Sequence, residues 1–193
     1  VIRRGDVDRA FSESEYIAEG EFVTQRIEHA FLEIESSVAL PKNGHLRLYS
    51  QGQGIYADRR QIASLLNIPE SNIKITQVQS GGAFGGKEDL STQGHACLFA
   101  YLLQKPVKLT LSREESIRMH PKRHPVKMKM KLACDRNGRL TALRLDAIGD
   151  TGAYASVGTK VMERVAGHAA GAYFVPVVAV DAKTVYTIYI SCG

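Results

Sequence analysis

Along much of the chain apolar residues recur at every second position. The clearest case is Pro125–Cys134, where Val126, Met128 and Met130 alternate with Lys127, Lys129 and Lys131. A period of two predicts a strand with one buried and one wet face. Tyr16–Thr24, His45–Ser50, Asn72–Gln79, Pro106–Leu111, Leu140–Ile148 and Val177–Tyr189 read as further strands. Pro125–Cys134 and Leu140–Ile148 form a hairpin across the turn signal Asp135-Arg136-Asn137-Gly138.

Other stretches follow the helical period. In Tyr56–Leu66, Ile62, Leu65 and Leu66 share one face and Pro69 ends the run. Asp89–Leu103 is rich in Ala, Leu and Phe, with Asp89, Ser91 and Thr92 as candidate caps. Ser112–Met119 opens with Ser112-x-x-Glu115, a capping box. Lys160–Ala170 is a further helix, and Gly149–Gly158, rich in Gly, Ala and Ser, packs backbone closely. Hairpins and isolated helices without a regular strand–helix rhythm predict an α+β fold with mixed sheets and several packed helices, not a doubly wound sheet.

Composition narrows the class. The 193 residues are 44% apolar and 23% charged, enough for one domain or two small ones with a core. No apolar run approaches the ~20 residues of a membrane span, and the start carries no secretion signal. The chain begins at Val1, which suggests a piece truncated at both ends, with residues 1–14 as a linker or edge segment. The net charge of +5 is scattered, and the densest basic stretch, His120–Lys131, has no interleaved aromatics, so it reads as a solvated strand rather than a nucleic-acid surface. Cys97, Cys134 and Cys192 have no C-x-x-C spacing. That argues against a disulfide framework or a zinc site and for a reducing, cytoplasmic setting, with Cys97 in the core.

Two glycine loops carry the candidate chemistry. Gly52-Gln53-Gly54-Ile55-Tyr56-Ala57 fits the dinucleotide fingerprint, but the next strand ends Val78-Gln79-Ser80, without the carboxylate that would hold a ribose. Gly81–Lys87 fits G-x-x-x-x-G-K, but Glu88 stands where a P-loop needs a hydroxyl for magnesium, and its charge would repel phosphates. On residue chemistry alone, the second loop is either a tight turn around a buried Phe84 or one wall of a pocket. In the second reading exposed N–H groups face anionic oxygens, Phe84 flanks a flat ligand, and Glu88 bonds a polar heterocycle.

The string Gly81-Gly82-Ala83-Phe84-Gly85-Gly86-Lys87-Glu88 resembles the G-G-x-F-G-G-K-E loop of the molybdenum hydroxylases, the xanthine dehydrogenase and aldehyde oxidase family. Other segments agree in order. Gln25–Glu33 resembles the family's Q-x-E-H-x-x-L-E, and Ser50–Gln53 before a helix ending at Pro69 resembles its S-T-Q segment. Arg113–Glu115 with Arg123-His124-Pro125 resembles R-E-E/D…R-H-P, and Val161–Arg164 with His168 and Tyr173 resembles M-E-R…H…Y. The resemblance runs from about Tyr16 to the end.

It implies the first of two molybdenum-cofactor-binding domains of a large subunit. It carries roles onto Gln53, beside an oxo ligand of the metal; onto Gly82, Phe84 and Gly85, whose backbone approaches the cofactor; and onto Phe84, Glu88 and Arg164, which contact substrate. Glu88 orients a purine-like heterocycle, and Arg164 steadies negative charge developing on its ring. The cofactor is molybdopterin with molybdenum, in the cytosine dinucleotide form, with no direct metal ligand from this chain. The Gln51-Gly52-Gln53-Gly54 variant resembles selenium-dependent bacterial members.

The resemblance also implies partners: a second molybdopterin domain carrying the Glu that acts as base, and [2Fe–2S] and FAD domains or subunits, whose motifs are absent here. The activity implied is hydroxylation of an electron-poor carbon with water as oxygen source, with no activity in the isolated piece. Two other readings stand beside it, a P-loop-like nucleotide-binding protein and a non-catalytic interaction domain.

Overall fold

The computed structural model describes residues 1–192. In chain order its elements are β1 (Ile2–Arg4), α1 (Val7–Ser12), β2 (Tyr16–Val23), β3 (Ser36–Lys42), β4 (His45–Ser50), α2 (Ile55–Leu66), β5 (Ile73–Gln77), α3 (Thr92–Leu103), β6 (Val107–Thr110), α4 (Arg113–Met119), β7 (Val126–Cys134), β8 (Leu140–Asp150), α5 (Gly158–Gly167) and β9 (Val177–Val185). They form two mixed sheets in two compact units, residues 1–27 with 124–192, and residues 28–123.

The first unit is a five-stranded sheet in the order β1-β9-β8-β7-β2, with β8 and β9 parallel and the other pairs antiparallel. The period-two pattern is realised: Val126, Leu143, Leu145 and Ala147 point to a core closed by Met162 and Ala166 of α5. The lysines of β7 point the other way. Lys129 meets Glu19 of β2 at 3.0 Å and Lys127 meets Glu21 at 4.0 Å, so the basic stripe is matched across the strands. The β7–β8 turn closes through Asp135, whose side chain accepts from the N–H groups of Asn137 and Arg139 at 2.8 and 3.0 Å. β1 lies at the sheet edge, and α1 follows it with Asp6 capping its first turn.

The second unit is a four-stranded sheet in the order β5-β4-β3-β6. β4 and β5 are parallel and joined through α2, while β3 is antiparallel to β4 and β6. Ala39, Leu46, Leu48 and Ile73 turn one face of this sheet onto Ile62 and Ala63 of α2 and Ala96, Cys97 and Ala100 of α3. Cys97 is fully buried, as expected of a core cysteine. No helix is long and apolar enough to cross a membrane among the described residues.

Candidate functional site

The site is built in the second unit where two loops meet. One follows β4 and runs through Ser50-Gln51-Gly52-Gln53 into α2; the other is the glycine loop between β5 and α3. Gln53 joins them. Its N–H donates to the Lys87 carbonyl at 2.9 Å. Its side-chain oxygen accepts from the N–H groups of Gly85 and Lys87 at 3.1 and 3.2 Å. Two backbone donors fix which end of the amide faces the loop. Gln53 is exposed as a residue, and its Nε2 is therefore the end left to donate to a ligand.

The glycine loop is bent by left-handed residues. Gly82 and Gly85 both have φ near +99° and Phe84 has φ +54°. A non-glycine residue there costs on the order of 1 kcal/mol and persists where its surroundings enforce it. Phe84 is 61% exposed, its ring standing over Gly82 instead of entering the core. The alternative of a tight turn around a buried Phe84 does not hold. Gly86 is required by close approach: a Cβ there would lie 2.8 Å from the Phe31 ring and 3.1 Å from that of His29.

Lys87 points inward. It is 2% exposed, donates to the Glu33 carbonyl at 2.8 Å and to the Gln51 side chain, and lies 4.5 Å from the Phe31 ring centroid. Burial lowers its pKa, opposed by Glu33 and Glu35. A P-loop lysine must reach outward to phosphates. This one clamps the loop to residues 31–35, and α3 begins only at Thr92, so the P-loop pattern is a coincidence of spacing.

Behind the clamp is a charged scaffold that residue chemistry did not reveal. Fully buried His120 stands between Glu28 on its Nε2 side and Glu35, 3.3 Å from its Nδ1. Lys122 reaches Glu28 at 3.2 Å, and Arg113 of α4 donates to the Phe31 carbonyl at 2.9 Å. Glu28, Glu33 and Arg113 belong to family-like segments, which was the available signal; their pairing with a distant His120 had none.

Asp58 was also missed. It lies in the first turn of α2 and is fully buried, opposite the Gln93 amide across Gly52. Burial drives its pKa up to about 7; the Gln93 amide opposes this, and the negative charges of Asp89 and Glu88 add to it. An acidic residue in a first helical turn is ordinary in a sequence, and only the fold shows that this one is dry.

Of the sequence-expected site residues, Gln53, Gly82, Phe84, Gly85 and half-buried Glu88 fall together here. The Glu88 carbonyl lies 3.4 Å from where a Cβ on Gly54 would stand, next to Gln53. Arg164 belongs to the other unit, exposed in the last turn of α5. The described residues offer no cluster of three or more His, Cys, Asp or Glu able to hold a metal ion. What the loop offers suits a cofactor with anionic oxygens. Among the described residues no partner takes the backbone N–H groups of Gly82 and Phe84, and Gln53 Nε2 adds a third donor nearby.

This combination of a strained glycine–phenylalanine loop and a bridging glutamine defines a class. The chain matches the molybdopterin cofactor-binding domain over residues 1–193 and belongs to that family, within the molybdenum hydroxylases. It is 44% identical over 187 residues to the nicotinate dehydrogenase large molybdopterin subunit of Eubacterium barkeri, covering 96% of this chain and 44% of that one. It is 38% identical over 184 residues to a probable xanthine dehydrogenase subunit of Bacillus subtilis (strain 168), covering 95% and 25%. In structure it overlays the aldehyde oxidoreductase of Desulfovibrio gigas with a TM-score of 0.90 at 24% identity, over 99% of this chain and 21% of that one. The chain thus spans less than half the length of these relatives.

Proposed function

We propose that this domain forms part of an enzyme that hydroxylates an electron-poor carbon of an N-heterocycle, purine-like in the leading reading. The observation that supports it is the convergence of Gln53, the exposed Phe84 and Glu88 on one loop mouth. The bound molybdenum cofactor, in the cytosine dinucleotide form, supplies the oxidation. The chain's own residues bind and orient. Gln53 Nε2 donates to an oxygen of the cofactor, Phe84 stacks on the flat substrate, and Glu88 accepts from a ring N–H. Arg164 provides the cation that steadies charge developing on the ring. The base, the second half of the cofactor grip, the iron–sulfur clusters and FAD belong to further domains or subunits, so activity needs more than this chain. The setting is cytoplasmic.

The nicotinate dehydrogenase relative favours a second substrate within the same chemistry, a pyridine carboxylate. In the complete enzyme, Glu88→Val with Arg164→Met should lower kcat/KM for xanthine at least about a hundredfold, two lost charged contacts of about 1.5 kcal/mol or more each. The aldehyde activity, if present, should be spared. Unchanged xanthine turnover would defeat the role of both residues, and nicotinate turnover without xanthine turnover would select the second substrate.

A further inference from the structure

The outer face of the second unit's sheet carries a feature that the glycine loop does not use. Lys42 pairs with His45 across β3 and β4, and Arg47 pairs with Lys74 across β4 and β5. Strand alternation puts all four side chains on the face opposite Leu46, Leu48 and Ile73, which enter the core. Together with Leu40, Asn43, Ser71 and part of Leu46 they line a cavity of about 490 Å³. The four strands of this sheet contain no Asp or Glu. Glu70, close to Lys74 in sequence, is taken by Arg59 at 3.1 Å. Among the described residues, Lys42, Arg47 and Lys74 have no ion-pair partner.

The contrast with the other sheet makes this informative. There the outer lysines of β7 face glutamates on β2. Here the like charges of Arg47 and Lys74 stand opposite each other, an arrangement that weakens a sheet unless something neutralises it. Lys42 with His45 lies at the β3–β4 turn and Arg47 with Lys74 two residues along β4, roughly 7 Å apart along the strand. Arg47 presents a planar fork that matches a phosphate bidentately, and the lysines act as point charges. Leu40, opposite Arg47, gives an apolar patch beside them.

We propose that this cavity binds a small anion carrying two phosphate groups, either free pyrophosphate or the diphosphate arm of a nucleotide. The site is independent of the reading of the glycine loop. Isothermal titration of the purified protein with pyrophosphate at low salt should show saturable one-to-one binding that weakens steeply as sodium chloride is raised. Arg47→Gln with Lys74→Gln should weaken it at least about tenfold. Both side chains are exposed, so the double variant should fold, with a melting temperature no lower than that of the parent. Tighter binding of ADP than of pyrophosphate would place an organic group on Leu40; equal or weaker binding would assign the site to free diphosphate. Absence of saturable binding by either, equal affinity in the double variant, or sulfate binding as tightly as pyrophosphate would each overturn the proposal.

Discussion

Asp58 shows how a single residue can set the pH response of this fold. A carboxyl whose folded pKa lies above its unfolded value holds its proton in the native state while the unfolded chain has already released it. The native state then loses stability as pH rises through that interval, from about 4 to about 7. Below the interval both states are protonated and the penalty is absent; above it the penalty is constant. With the shift to about 7, the loss is about 2–4 kcal/mol. Asp58→Asn keeps the shape and the facing Gln93 but cannot ionise. It should therefore match the wild type near pH 4 and exceed its stability at pH 8. Denaturant midpoints at the two pH values check this. A variant less stable than wild type at pH 8 would mean that the ionised carboxylate is satisfied in the fold.

The glycine loop is held as an element by two long side chains, Gln53 on the outside and Lys87 on the inside. Gln53→Ala leaves the Gly85 and Lys87 N–H groups without their acceptor and should cost about 1–2 kcal/mol. Gln53→Glu keeps an acceptor and replaces the outward-facing N–H2 with an oxygen, so it should keep the melting temperature while lowering molybdenum content in the complete enzyme. Loss of stability in both variants with normal molybdenum content would make Gln53 purely structural. The loop's position between a strand and a helix was legible from local pattern, as were most strands, because alternation and Gly or Pro punctuation act over a few residues. What was not legible depends on remote partners. β3 was missed because Pro41 interrupts a short apolar run. It is tolerated because β6 pairs only Ser36–Ala39, leaving Pro41 beyond the ladder on that side. The start of α3 was expected at Asp89 and falls at Thr92, because Lys87 is drawn inward by Gln51 and Glu33, and Gln93 takes up the Ser91 N–H at 2.8 Å. The contacts of His120 with Glu28 and Glu35 join residues far apart in the chain, where periodicity carries no information.

At the scale of the molecule, the chain leaves the first unit after Ile27 and returns to it at His124, so the second unit is one continuous stretch inserted in the first. A continuous unit with its own sheet, two packed helices and its own apolar cluster holds the requirements for independent folding. A polypeptide of residues 28–123 should therefore give a cooperative thermal transition by circular dichroism and retain pyrophosphate binding, since Lys42, His45, Arg47 and Lys74 all lie within it. Residues 124–192 alone should behave differently. β9 would lose β1 and β7 would lose β2, leaving both outer edges of the remaining three strands unpaired. Unpaired edges promote intermolecular pairing, so this piece should aggregate, as light scattering would detect. A non-cooperative 28–123, or a soluble folded 124–192, would show that the two units depend on each other for stability. If 28–123 folds, the loop carrying Gln53, Phe84 and Glu88 can be studied apart from Arg164. The contribution of each unit to ligand recognition would then be separable by titration of the insert and of the whole chain.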